Sequence, residues 1–314
     1  MMKRKQKIFA ATVGSPATWN SNKPNVTLPA TLTTHDGLKL AVKHWPLEAQ
    51  QNQRGVVCLV HGLGEHIGRY EHVAASLNFA GWAAVGYDQR GHGLSDGVRG
   101  GIAHQDDPMQ DVSVVIDAVK ATYPKEPFAV LGHSMGGLIV ARLVSALADP
   151  PEPRAWRRSV DLCLLSSPAL KLPLSRIQKV LLNTVGRLLP SVKVNNGLKP
   201  EWLSSDLAAV RDYKRDPLVH DRVSGQLTRF MLESSEAIYQ RASHWKTPTL
   251  LLYSGTDRCV DPEGSRRFAK ELPAQLLVAK EYSNFKHEIF NERDNGEVLA
   301  ELQNWLNHSD RTIA

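Results

Sequence analysis

The sequence predicts an α/β protein: a mostly parallel, eight-stranded sheet wound with helices on both faces, carrying a helical insertion late in the chain. Three observations predict it. Short, fully apolar runs recur along the chain, amphipathic stretches of helical length alternate with them, and one interval of about eighty residues breaks the rhythm.

The elements follow in order. TLTTHDGLKLAVKHW, residues 31–45, alternates polar and apolar side chains about Asp36-Gly37, the pattern of two antiparallel strands joined by a tight turn. VVCLV at 56, WAAVGY at 82, FAVLG at 128, VDLCLLS at 160, TLLLYSG at 249 and QLLVAK at 275 are apolar at consecutive positions. Both faces of such runs are expected to be covered, as in the central strands of a parallel sheet. With the hairpin they make eight strands. DVSVVIDAVKATY after 111 and MGGLIVARLVSAL after 135 have helical spacing and cross between strands. DPPEPRAWRR, residues 149–158, reads as a proline-rich surface loop before the sixth strand.

Between Ser167 and Thr249 there is no convincing strand pattern, but three helical ones: SRIQKVLLNTVGRLLP, DLAAVRDYKRD and GQLTRFMLESSEAIYQR. So long a connection needs structure of its own. Residues 168–245 are therefore expected to form a helical cap over one end of the sheet, inserted after strand 6. Residues 28–167 and 246–314 form the sheet domain. Residues 1–27 read as a flexible basic tail, because the apolar part of MMKRKQKIFAATVGSPATW is broken early by Gly14 and Pro16, unlike a signal peptide.

The bulk numbers exclude some functions. The chain has 314 residues and a net charge of +6. Lys3, Arg4, Lys5 and Lys7 supply four of those charges, and no basic stripe interleaved with aromatics follows, so nucleic acid is not an expected partner. Cys58 and Cys163 sit inside apolar runs and read as small buried hydrophobes. Cys259 reads as either a packed residue or a reactive thiol. With no Cys-x-x-Cys or Cys/His spacing, no metal is expected, and His61 and His66 are not read as ligands. Sparse cysteines and the lack of an 18-residue apolar run suit a cytoplasmic chain that does not span a membrane.

The chemistry centres on FAVLGHSMGGLIVARLV, residues 128–144. Its Gly-x-Ser-x-Gly puts Ser134 at a strand-to-helix corner, where the seryl oxygen projects past the carboxyl end of the sheet at a helix N-terminus. A serine hydroxyl needs a base in reach and an acid to orient it. On such a sheet the chain order is Ser, acid, His. Only His287 and His308 follow the plausible acids; His287 lies just past the last strand, whereas His308 ends the last helix. Asp257, at the end of TLLLYSGTD, is the expected acid. Asp261 is the alternative, although its place before Pro262 suits a helix cap. The oxyanion donors are expected to be the backbone amides of Met135 and of Leu63, in the glycine-bearing loop HGLGEHIGRY.

LVHGLGEHIGRYEHVAASL, GYDQRGHGLSDG, GHSMGG, YSGTDRCVDPEGS and FKHEIFNE together resemble the monoacylglycerol lipase and lysophospholipase branch of the α/β-hydrolases, grouped with the serine aminopeptidase-like hydrolases. The resemblance covers roughly residues 30–308. It implies a triad of Ser134, Asp257 and His287, oxyanion amides from Leu63 and Met135, no cofactor, and a cap over an acyl-binding tunnel. The expected activity is hydrolysis of a single-chain lipid ester, a monoacylglycerol or lysophospholipid, through an acyl-enzyme. An acyltransferase, a general carboxylesterase and an aminopeptidase-like amide hydrolase remain as alternatives on the same triad. IQKVLLNTVGRLLPSVKV in the cap sets a broad apolar face among Lys179, Arg187 and Lys193. That face suits either peripheral contact with a membrane or packing onto the sheet domain. Oligomeric state is not legible.

Overall fold

The computed structural model describes residues 28–173 and 191–313. The strands, in chain order, are β1 (Thr31–Thr33), β2 (Lys39–Trp45), β3 (Gly55–Val60), β4 (Trp82–Tyr87), β5 (Phe128–His133), β6 (Leu162–Ser166), β7 (Lys193–Asn195), β8 (Arg222–Ser224), β9 (Thr249–Ser254) and β10 (Leu277–Tyr282). Eight of them form one sheet in the order β1-β2-β4-β3-β5-β6-β9-β10. β2 runs antiparallel to β1 and β4; every other pairing is parallel. The expected eight-stranded, mostly parallel sheet is therefore present.

The apolar runs explain the layering. Along β3, Val56, Cys58 and Val60 point into one core while Val57 and Leu59 point into the other. The first core is closed by α2 (Asp107–Thr122), α3 (Met135–Ser145) and α6 (Glu263–Glu271), through residues such as Ile116, Ile139 and Phe268. The second is closed by α1 (Glu71–Phe79) and α7 (Gly296–Ile313), through Leu77 and Leu302. β10 departs from expectation. It is the edge strand, paired only with β9, and Val278 is 43% exposed, so QLLVAK is not covered on both faces.

Between β6 and β9 the described residues hold α4 (Leu207–Arg215), α5 (Gly225–Arg241) and a two-stranded antiparallel ribbon, β7 with β8. The ribbon corrects the strand-free reading of this interval. Its strands are three residues long, too short for alternation to register. Helix α5 packs on α3 through Leu227 and Phe230 in the first core. The tail 1–27 and the first cap pattern, SRIQKVLLNTVGRLLP over 175–190, lie outside the described residues.

Candidate active site

Ser134 stands between β5 and α3 with φ 54° and ψ −118°, a positive φ that costs a non-glycine residue about 1–3 kcal/mol. The surroundings enforce it. Its amide donates to the Ser166 carbonyl (3.0 Å), and its own carbonyl accepts from Leu138 N (3.0 Å) and Ala169 N (2.9 Å). Glycines make the corner possible: a Cβ at Gly132 would lie 2.3 Å from the Gly136 oxygen, and one at Gly136 2.1 Å from the Val60 oxygen. The Ser134 hydroxyl has no hydrogen-bond partner among the described residues. It faces a cavity of about 390 Å³ that Leu63 and Met135 also line.

Asp257 follows β9 and His287 follows β10, so neighbouring parallel strands deliver both at the carboxyl end of the sheet. His287 Nδ1 donates to Asp257 Oδ2 at 2.6 Å. The other carboxylate oxygen accepts from the amides of Cys259 (2.7 Å) and Val260 (3.1 Å), which fixes its aim. Both side chains are buried. Burial alone would lower the imidazole pKa, but the Asp257 charge and hydrogen bond, with Glu288 and Glu65 behind them, raise it above its ordinary value. With Nδ1 committed, Nε2 is left as the acceptor. The His287 ring centroid lies 4.8 Å from that of His133, the residue before Ser134.

The two alternatives are placed elsewhere. Asp261 pairs with Lys171 Nζ at 2.6 Å and accepts from Glu263 N at 3.0 Å, at the start of α6. His308 donates to the Asn304 carbonyl on an exposed helix face. Cys259 is buried, and burial together with the Asp257 charge pushes its thiol up, so it is a packed, protonated residue. His61 and His66 have both ring nitrogens committed: His61 to Gly62 O and Gln89 N, His66 to Asp216 and Gly68 N.

Leu63 lies in the loop between β3 and the turn Ile67–Tyr70. Neither its amide nor that of Met135 has an acceptor among the described residues. The loop is held by a buried ion network that the sequence reading missed. Glu65 accepts from Gly62 N (2.6 Å), Tyr70 Oη (2.7 Å) and Arg69 (2.7 Å); Arg69 also forms a bidentate pair with Glu288 (2.7 Å). Arg69 thus ties the Leu63 loop to the residue next to His287. Burial would raise the Glu65 pKa, but Arg69 outweighs it and the carboxylate stays ionised. The segment between β6 and β9 holds the same loop: His220 N donates to Gly64 O (2.9 Å) and His66 Nε2 to Asp216 (2.7 Å). The only sequence signal for this was charge inside HGLGEHIGRY and FKHEIFNE, blocks otherwise suited to burial.

Histidines pack beneath that loop. His61, His92 and His220 form a column with centroid separations of 5.3 and 4.6 Å. Burial, then neighbouring cations, pushes His220 and His133 down to about 4; His61 and His92 are lowered as well. The unfolded chain binds these protons first, so stability is complete above pH 7.5 or so and falls as pH drops from about 6.5 toward about 4. His287, raised, acts in the opposite sense but alone. The expected result is a melting temperature at least about 5 °C lower at pH 5 than at pH 7.5, with a flatter profile in His220→Gln, read by calorimetry. An unchanged profile in the variant would remove His220 as a source of the acid sensitivity.

The profile of the serine aminopeptidase S33 family matches residues 51–294. A monoacylglycerol lipase of Mycolicibacterium smegmatis is 31% identical over 86% of this chain and 93% of its own length. An uncharacterized abhydrolase domain-containing protein of Dictyostelium discoideum is 30% identical over 88% of this chain, which spans only 28% of that relative. The crystal structure of a Paleococcus ferrophilus monoacylglycerol lipase superposes with a TM-score of 0.75 at 34% identity, covering 86% of this chain and 99% of that one. The chain is an α/β-hydrolase and belongs to the serine aminopeptidase S33 family.

Proposed function

We propose that this protein is a serine hydrolase that cleaves the carboxylic ester of a single-chain lipid, a monoacylglycerol or lysophospholipid, with Ser134, Asp257 and His287 as its triad. The observation that carries the reading is the cavity on Ser134. Ala169, Leu172, Val223 and Met231 give it apolar walls, and the Leu63 and Met135 residues whose amides are free border the serine. An acyl chain fits such walls, and its carbonyl oxygen then falls to the amides.

In the proposed reaction His287 Nε2 takes the Ser134 proton as Oγ bonds to the ester carbon. The carbonyl electrons move to oxygen, where the Leu63 and Met135 amides receive them; one such donor is worth about 3 kcal/mol. Collapse breaks the bond to the alcohol, which leaves with the proton from His287. Water then attacks the acyl-Ser134, giving its proton to His287, and the acid departs as Oγ is reprotonated. Asp257 holds the ring in the Nδ1–H tautomer and stabilises the imidazolium. Every proton is carried by the chain's own groups.

The test combines a fluorophosphonate probe with a panel of esters and matched amides. Labelling at Ser134, with long-chain single-chain esters favoured over amides, is the expected result. Labelling at another serine overturns the triad, and faster amide cleavage makes the protein a peptidase-like enzyme. Ester formed with added alcohol in preference to free acid makes it an acyltransferase.

The cap is proposed to touch the lipid surface. Val192 and Val194 are 52% and 55% exposed, beside the cavity-lining Asn196, with Lys193 between them. Apolar side chains flanked by cations suit an anionic interface. Among the described residues no helix is long and apolar enough to cross a membrane. Replacing both valines by serine is expected to weaken vesicle binding about tenfold, with little change on a soluble short-chain ester. Undiminished sedimentation with vesicles would rule out this contact.

A further inference from the structure

The polar side chains lining the cavity are Ser134, Asn196, Thr228, Arg258 and Cys259, and none of the lining residues is an acid. Thr228 donates to the Ser224 carbonyl and Cys259 is buried, so Arg258 is the charge that the cavity offers a ligand. Its side chain is exposed and has no ion-pair or hydrogen-bond partner among the described residues. Four acids along this part of the chain have partners of their own. Asp257 holds His287, Asp261 holds Lys171, Glu201 pairs with Lys214, and Asp221 pairs with Arg222. Residues 174–190 contain no acid. A second cation, Lys199, lies 5.4 Å over the ring of Trp202, another lining residue.

A neutral glycerol head needs hydroxyl partners, not an unpaired guanidinium. A phosphate offers two oxygens to the fork of an arginine, and charge-assisted bonds of this kind are about twice as strong as neutral ones. We infer that Arg258 binds an anionic phosphate head group, so that the preferred ester is an acidic single-chain phospholipid and not a neutral monoacylglycerol. The inference rests on the ester hydrolase reading above. It deepens that reading by assigning the head-group end of the site.

Phosphate could also be met on a bilayer, so the test has two arms. In the first, a lysophosphatidic acid and a monoacylglycerol of the same acyl length are compared as monomers, without vesicles. Wild type is expected to show a kcat/KM ratio of at least about tenfold in favour of the phosphate ester. Arg258→Gln should bring the ratio near one, Arg258→Glu should invert it, and Arg258→Lys should retain part of it. A circular dichroism spectrum and melting temperature close to wild type show that each variant has folded. In the second arm the neutral ester is presented in vesicles with and without anionic lipid. A ratio near one in wild type, or a ratio that Arg258→Gln leaves intact, overturns the inference. So does an effect of Arg258→Gln confined to vesicles, which would assign the cation to the bilayer surface. Failure of wild type to cleave either ester would instead count against the hydrolase reading itself.

Discussion

Ser134→Ala is expected to lower ester turnover by about 10⁴- to 10⁶-fold with the melting temperature close to wild type. The two halves of this expectation have separate causes. The hydroxyl has no hydrogen-bond partner among the described residues, so its removal orphans no buried group. The backbone is held by amide and carbonyl bonds to Ser166, Leu138 and Ala169, which alanine keeps, and alanine bears the positive φ no worse than serine. In the proposed reaction, by contrast, the variant lacks the atom that forms the acyl bond. His287→Ala should match the loss, because nucleophile and base act as a unit, and the double variant should be little worse than either single one. What activity survives would come from the free amides of Leu63 and Met135 and from binding in the cavity. Turnover within about tenfold of wild type in Ser134→Ala, measured on protein free of wild-type carry-over, would displace Ser134 as the nucleophile.

The parts of this molecule that were legible in the sequence are those whose physics is local. β3, β4, β5, β6 and β9 are buried on both faces and so read as unbroken apolar runs. The corner at Ser134 was legible because glycines flank it at fixed spacing, and Asp257 and His287 because each follows a strand end. What stayed hidden depends on distant pairings. Glu65, Arg69 and Glu288 carry no local signal of their pairing, which the fold makes by bringing residues 65 and 288 to one guanidinium. The contacts of His220 and Asp216 with the Leu63 loop join the segment between β6 and β9 to the loop after β3 over about 150 positions of chain. The β7–β8 ribbon forms from KVN and RVS, which have no pattern of their own. β10 misled for the opposite reason: its leucines suggested a covered strand, but it is the last in the sheet and meets water.

Asp257→Asn is expected to cost about 10⁴-fold in kcat, and Asp261→Asn no more than about tenfold, although the two carboxylates are four positions apart. An asparagine at 257 keeps the volume and can still accept the amides of Cys259 and Val260 through its oxygen. Its amide nitrogen then faces Nδ1 of His287 as a donor, which favours the tautomer with the proton on Nε2, the nitrogen that must accept from Ser134. The negative charge that offsets burial of the imidazolium is also lost, so the His287 pKa, now raised, should fall below its ordinary value. The pH-rate profile separates this positioning role from a loss of fold: the acidic limb should move to lower pH in Asp257→Asn, while circular dichroism stays unchanged. Asp261→Asn removes an ion pair with the half-exposed Lys171 and can still accept from Glu263 N, so it should lose well under 1 kcal/mol of stability and keep the wild-type pH profile. A deeper defect in kcat for Asp261→Asn than for Asp257→Asn would mean that the 2.6 Å contact between Asp257 and His287 is not the one that orients the base.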